Sequence, residues 1–190
     1  MSSDRGQVVI RLAGSADMAS ICDLMNKQIL GGRAHFGVTP DVPETYETQW
    51  REQGETYPWL IAADADGSFL GFAKAGRWKA REAYDWTVEV SVYLVEAARG
   101  RGIGRLLYDR LFETLAAQGF VVAIGGMTLP NPASERLHES MGMTRAGEFT
   151  PNGFKFGRWM PVRYYQMMLR DLGVEDDPGS LRGVSEVWTS

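Results

Sequence analysis

The sequence predicts a mixed α/β fold, a central β-sheet flanked by helices. Three observations carry the prediction. Stretches of β-branched and aromatic residues recur along the chain, and helix-patterned stretches fall between them. One alternating run, TVEVSVYLV (87–95), leads through the glycine-rich turn RGRGIG (99–104) into the amphipathic segment LLYDRLFETLAAQG (106–119). Strand and helix alternating in this way make a sheet with helices packed on its faces.

Taken in order, VVIRLA (8–13) is apolar and β-branched, a first strand, and Ser15 is placed to cap the helix after it. Ile21, Leu24, Met25 and Ile29 recur at helical spacing, and Gly31-Gly32 ends the run. GGRAHFGVTPDVP (31–43) reads as a loop and ETYETQWREQG (44–54) as a short amphipathic helix. YPWLIAAD and SFLGFAKAG, joined by a turn at Asp66-Gly67, read as a hairpin. RWKAREAYD (77–85) is a polar loop. In the next strand Val88, Val90, Val92 and Leu94 point one way and Glu89, Ser91 and Tyr93 the other.

On the helix after the glycine turn, Leu107, Leu111 and Leu115 share a face and Gly119 fits the C-cap. FVVAIGGMTL (120–129) is a strand closed by Pro130, and ASERLHESMG (133–142) a short helix stopped by Gly142. KFGRWMPVRYYQMML (155–169) reads as the final strand, bent at Pro161 where a missing N–H is tolerated. Residues 1–170 form a single domain without internal repeats, and the polar 171–190 are expected to be a loose tail.

Composition removes several functions. A chain of 190 residues suits one domain with a sizeable core. The net charge of -4 argues against non-specific nucleic-acid binding, which draws on a basic field. No apolar run approaches the roughly 18 residues that span a bilayer, so no membrane partner is expected. The lone Cys22 cannot form an intrachain disulfide, and the first residues carry no charged-then-apolar signal pattern. A cytoplasmic protein is the expectation.

The glycine turn has three readings. A nucleotide P-loop needs Lys-Ser or Lys-Thr after its last glycine, but Arg105 and Leu106 follow Gly104. A dinucleotide fingerprint needs a third glycine and a place near the first strand, and this turn has neither. The third reading is R-x-x-G-x-G at Arg99, Gly102 and Gly104, a turn whose successive N–H groups and helix dipole suit a pyrophosphate. A plain glycine turn with exposed arginines would look the same in isolation.

With the strand before it, the helix after it and LPNPASERLHESMGM (129–143) downstream, the turn resembles the Gcn5-related N-acetyltransferase (GNAT) superfamily over about residues 8–168. YPWL, AGRWKAREAYDWTVEVSVY (75–93), LPN, HE (138–139) and GFKFGRW (153–159) further resemble the phosphinothricin acetyltransferase group. The resemblance implies splayed central strands, acetyl-CoA as cosubstrate without a metal, a small amino-acid-like amine as acceptor, and a homodimer. It implies a cofactor site at Val92, Tyr93, Leu94, Arg99, Gly100, Arg101, Gly102, Ile103, Gly104, Asn131 and Ser134.

Acetyl transfer to an amine needs a base for the ammonium, donors for the thioester oxygen and a proton for the leaving thiolate. Glu89 stands among valines just before the turn; the strand alone reads it as an exposed glutamate or a base, and the resemblance assigns it the base. His138 fills the slot in which many members carry a proton-donating tyrosine. The resemblance places Lys79, Arg81 and Tyr84 against the acceptor's acidic groups, with Tyr93 and Phe36 lining the pocket. GGRAHF (31–36) departs from the Thr/Ser-rich stretch ending in Asn-Phe of that group: Phe36 stays, but His35 replaces the asparagine. Cys22 is expected to be a small buried residue, so transfer is direct, in a ternary complex. Two alternatives stay open from sequence: another acceptor (a protein N-terminus, a lysine or an aminoglycoside) or a non-catalytic acyl-CoA sensor.

Overall fold

A computed structural model describes residues 7–189. Seven strands form one sheet in the order β1-β2-β3-β4-β5-β7-β6: β1 (Val9–Leu12), β2 (Trp59–Ala63), β3 (Phe69–Arg77), β4 (Thr87–Leu94), β5 (Val122–Thr128), β6 (Thr144–Lys155) and β7 (Arg158–Met168). Only β4 and β5 pair in parallel, joined by the crossover helix α3 (Ile103–Gln118). Helices α1 (Met18–Leu30) and α2 (Pro43–Gln53) precede β2, α4 (Pro132–Ser140) follows β5, and α5 (Val184–Val187) closes the chain.

The period-2 pattern of β4 sorts two cores. Val88 and Val90, with Ala73 and Ala75 of β3, meet Leu107, Leu111 and Leu115 of α3 on one face. Each of those leucines is wholly buried, which contributes roughly 1.5–3 kcal/mol apiece. On the other face Trp59, Ile61 and Phe72 meet Ile21, Leu24 and Met25 of α1. Helix α3 starts at Gly102 and stops at Gly119, both in the left-handed region that glycine enters without strain. No helix among the described residues is long and apolar enough to cross a membrane.

Three expectations are corrected. Ser15 does not cap α1: its hydroxyl donates to the Glu47 carboxylate at 2.9 Å, while Asp17 accepts the Gly14 N–H at 2.8 Å. The last strand is a hairpin. Its first arm, β6, went unseen because nearly every residue in it is exposed and no apolar alternation marks it. KFG is the turn, with Phe156 and Gly157 at φ 51° and 72°. Pro161 sits opposite the break in register between Phe149 and Gly153, where no ladder N–H is required.

The tail is not loose. Trp86 Nε1 donates to the Gly179 carbonyl at 2.8 Å, and the Gln118 amide donates to Arg182 O at 2.9 Å. Val184 is buried, and the Arg110 guanidinium lies 4.2 Å from the Trp188 ring centre. Both backbone and side chain of Arg182 satisfy the end of α3, its N–H donating to Gln118 O and its guanidinium to Ala117 O.

Candidate active site

The seam between β4 and β5 is paired for only half its length. Thr87–Val90 lie beside Val122–Gly125. Beyond that, β4 continues to Leu94 against β3 alone, and β5 continues to Thr128 against β7 alone. Two glycines in β5 mark the parting. A methyl group on Gly125 would overlap His138 Nε2, and one on Gly126 would lie 2.9 Å from the Tyr164 ring. The rings of α4 and β7 therefore occupy the space that β5 side chains would fill.

The parting opens a cavity of about 720 Å³ that runs from the glycine turn, through the sheet, to Gln28 and Ala34. Register decides which amides face it. Trp86 O accepts from Val121 and Val122 on the β5 side, and Val95 N–H donates to Leu70 O on the β3 side. Alternation along β4 then turns the Val92 and Leu94 N–H groups into the parting, and those of Ser91 and Tyr93 toward β3. Of the three backbone positions expected there, Tyr93 faces the site with its side chain instead.

At the turn, Gly100 and Gly102 have φ of 73° and 82°. Backbone bonding resumes with Arg105 and Leu106, which both donate to Gly102 O. The N–H groups of residues 100–104 have no protein acceptor among the described residues and sit at the positive end of α3. Arg99, Gly100, Gly102, Ile103 and Gly104 line the cavity; Arg101 does not, and Arg105 does. Arg105 also donates to Ser140 O at 3.0 Å, tying the turn to α4. Free amides, a helix N-terminus and two arginines fit a diphosphate.

Asn131 and Ser134 line the same wall. Asn131 caps α4, its Oδ1 accepting the Ser134 N–H at 3.2 Å, which leaves its amide N–H groups unspent. His138 is buried between Tyr108 and Tyr165. Its Nδ1 lies 2.7 Å from Ser134 O, so the ring proton sits on Nδ1 and Nε2 is bare. Burial pushes its pKa down, and the ring is neutral at pH 7.

Glu89 lies on the opposite face of the sheet, beside the parting. A methyl on Gly126 would stand 3.5 Å from its Oε1. Burial pushes its carboxyl pKa up, and Lys79 and Lys74 pull it partly back. Trp78 and Tyr164 meet edge to face at 5.5 Å and wall this end. Tyr93 stacks on Phe72 at 5.6 Å, and burial with Glu89 nearby pushes its phenol up to about 12.

The other acceptor candidates are placed unevenly. Lys79 extends over Trp78, 4.7 Å from the ring centre, within electrostatic reach of Glu89. Arg81 and Tyr84 lie exposed on the loop before β4. The Phe36 ring covers Gly153 of β6, closely enough that a methyl there would collide with it. Lys155 is buried, and donates to the carbonyls of Gln28, Gly32 and His35 at 3.1, 3.0 and 2.6 Å. It pins the 28–36 loop to β6. Cys22 is buried in the α1 core and hydrogen-bonded to Asp41 O at 3.4 Å, away from the cavity lining.

Sequence reasoning missed Lys74, Tyr108, Gly125, Gly126 and Tyr164. The paired glycines in an otherwise apolar strand were the one available signal, since glycine inside a strand often marks close approach by another group.

Comparison with known proteins gives consistent matches. The model of the acetyltransferase (GNAT) family matches residues 27–143. A phosphinothricin N-acetyltransferase of Streptomyces viridochromogenes is 38% identical over 98% of this chain and 100% of its own length. An L-methionine sulfoximine/L-methionine sulfone acetyltransferase of Pseudomonas aeruginosa is 37% identical over 84% of this chain and 94% of its own. Among solved structures, a GNAT superfamily phosphinothricin acetyltransferase from Sinorhizobium meliloti, in complex with acetyl-CoA, superposes with a TM-score of 0.84. It is 33% identical, over 90% of this chain and 93% of that one.

Proposed function

The chain belongs to the acetyltransferase (GNAT) family and is an N-acetyltransferase, and from that premise we propose that it acetylates the α-amine of a small anionic amino acid. Phosphinothricin, methionine sulfoximine and methionine sulfone represent the class. One observation carries the reading: the seam parts beside Glu89, with a cradle of free amides on one side of the sheet and, on the other, a carboxylate in the field of Lys79 and Lys74.

Acetyl-CoA, when bound, supplies the acetyl thioester. The amides of residues 100–104, with Arg99 and Arg105, hold the diphosphate, and the Asn131 amide holds the pantetheine arm. The Val92 and Leu94 N–H groups point to where negative charge develops on the acyl oxygen. A donor in that position contributes about 3 kcal/mol. Glu89 takes the proton from the acceptor's ammonium, directly or through one water, because only the free amine has a lone pair to attack with. Burial raises its pKa, which brings its basicity nearer the task.

His138 holds its proton against Ser134 and is neutral, so its part is to shape the wall beside Gly125 rather than to donate. No residue on this path carries an acyl group: Cys22 is out of reach, and transfer is direct. Lys79, Arg81 and Tyr84 receive the acceptor's acidic end from the loop before β4.

The working unit is a homodimer. Phe154 and Trp159, which meet edge to face at 5.4 Å and are exposed on the β6–β7 hairpin, offer an apolar patch that a second copy would cover. A reducing cytoplasm suits a chain with one buried thiol.

An acceptor panel with a free-thiol readout tests the reading. Turnover of phosphinothricin, methionine sulfoximine or methionine sulfone is the expected result. Turnover of peptides, lysine or an aminoglycoside, with none of the amino acids, would reject it.

A further inference from the structure

Lys74 is the unexplained group of the acceptor end. It stands in β3 between Trp59 of β2 and Ser91 of β4, with its ammonium 4.3 Å from the centre of the Trp59 ring. Most of its surroundings are protein, and burial brings its pKa down to about 8. Yet it forms no ion pair and no hydrogen bond among the described residues; Glu89 acts on it only through space. Its charge is felt by Glu89 on one side and by His35 on the other. A half-buried cation without a partner is costly to keep unless something supplies the partner.

The floor between Lys74 and Glu89 is open. Gly76 follows Lys74 on the same face of β3 and pairs with Glu89. A side chain there would meet nothing within 4 Å. Across antiparallel strands, such diagonal positions stand roughly 7–8 Å apart at Cα, so a carboxylate and an ammonium hold two ends of a small gap without closing it. An α-amino acid is a zwitterion whose ammonium and carboxylate are joined through one carbon. Set into this gap, its ammonium faces Glu89 and its carboxylate faces Lys74.

We propose that Lys74 binds the α-carboxylate of the acceptor and so turns the α-amine toward Glu89. The inference rests on the amino-acid reading above and deepens it. Lys79, held over Trp78 and within electrostatic reach of Glu89, is left for the phosphinate, sulfoximine or sulfone oxygens at the other end of the acceptor. The cation at position 74 thereby selects α-amino acids over simple amines, and Lys79 selects among their side chains.

The test compares methionine sulfone with its decarboxylated analogue, 3-(methylsulfonyl)propylamine, in the parent chain, Lys74→Met and Lys74→Arg. Lys74→Met keeps the apolar stem over Trp59 and loses the charge. It should raise KM for methionine sulfone about 30-fold or more while leaving kcat/KM for the amine within about twofold, both read at a pH above the acid limb of each protein, because loss of Lys74 also removes its downward pull on the Glu89 pKa. Lys74→Arg should keep most of the preference. KM for acetyl-CoA should be unchanged in both, which also shows that the variants fold. Equal losses on the two acceptors, or no loss on either, would overturn the assignment. A parent chain that ignores methionine sulfone and every other anionic amino acid would overturn the substrate class, and the role of Lys74 with it.

Discussion

The two ends of the site are built differently. The cofactor end is made of consecutive main chain: β4 up to Leu94, the turn at 99–104 and the start of α3, with Asn131 capping α4 alongside. Arg99 and Arg105 add charge there, and the rest of the cradle is main chain. The acceptor end, beside the parting and outside the lining of the 720 Å³ cavity, is made of side chains from distant segments: Lys74 from β3, Glu89 from β4, Tyr164 from β7, and Phe36 held by Lys155 from the far hairpin. The first end is therefore suited to one constant feature, the diphosphate proposed for it. The second can be retuned one residue at a time without disturbing the grip.

If that division is real, substitutions should affect one substrate and spare the other. The largest effect is expected at Glu89. Glu89→Gln should lower kcat by about 10²–10⁴-fold with acetyl-CoA affinity unchanged by calorimetry. The parent's acid limb should lie above the ordinary carboxylate range, because burial raises this pKa. Activity falls as pH drops through that value and Glu89 takes up its proton. The limb should vanish in the variant, and its persistence would remove Glu89 as the base.

Lys155→Met comes next. It leaves the carbonyls of Gln28, Gly32 and His35 without their shared donor, at a cost of about 2–4 kcal/mol in urea unfolding. KM for the acceptor should rise and KM for acetyl-CoA should not. A matched rise in both would merge the two ends. Gly102→Ala probes the opposite end. At φ 82° a side chain costs about 1–2 kcal/mol, and shifting the amides should raise KM for acetyl-CoA about tenfold, with acceptor KM constant.

The smallest effect is expected at His138. His138→Gln should keep kcat within about tenfold of the parent, below the usual loss for a general acid. A hundredfold drop, with a basic limb removed from the pH profile, would restore it as the proton donor.

This division also explains what could be read from the chain. The glycine turn, the leucine face of α3 and the alternation of β4 are local patterns, each complete within a dozen residues, and all three appear where expected. Glu89 stood out because it interrupts a β-branched strand, and only the family resemblance singled it out as the base. Lys74 was not, because a lysine in SFLGFAKAG reads as a solvent-facing residue of a hairpin until α1 and the 28–36 loop cover that face. Lys155 was equally illegible, because its partners lie more than a hundred positions away. The β6 arm and the docked tail escaped notice because backbone hydrogen bonds, which composition does not encode, hold both in place.

The sequence by itself determined the strands and helices up to α4, the two core faces of the sheet and the left-handed glycine turn before α3, since periodicity and glycine stereochemistry act over short distances. Tertiary structure alone decided where β4 leaves β5, which amides are thereby freed, and that a lysine and a glutamate face each other across an empty glycine. Those features follow from strand register and from rings of α4 and β7 lying over Gly125 and Gly126, contacts between segments that no local pattern specifies.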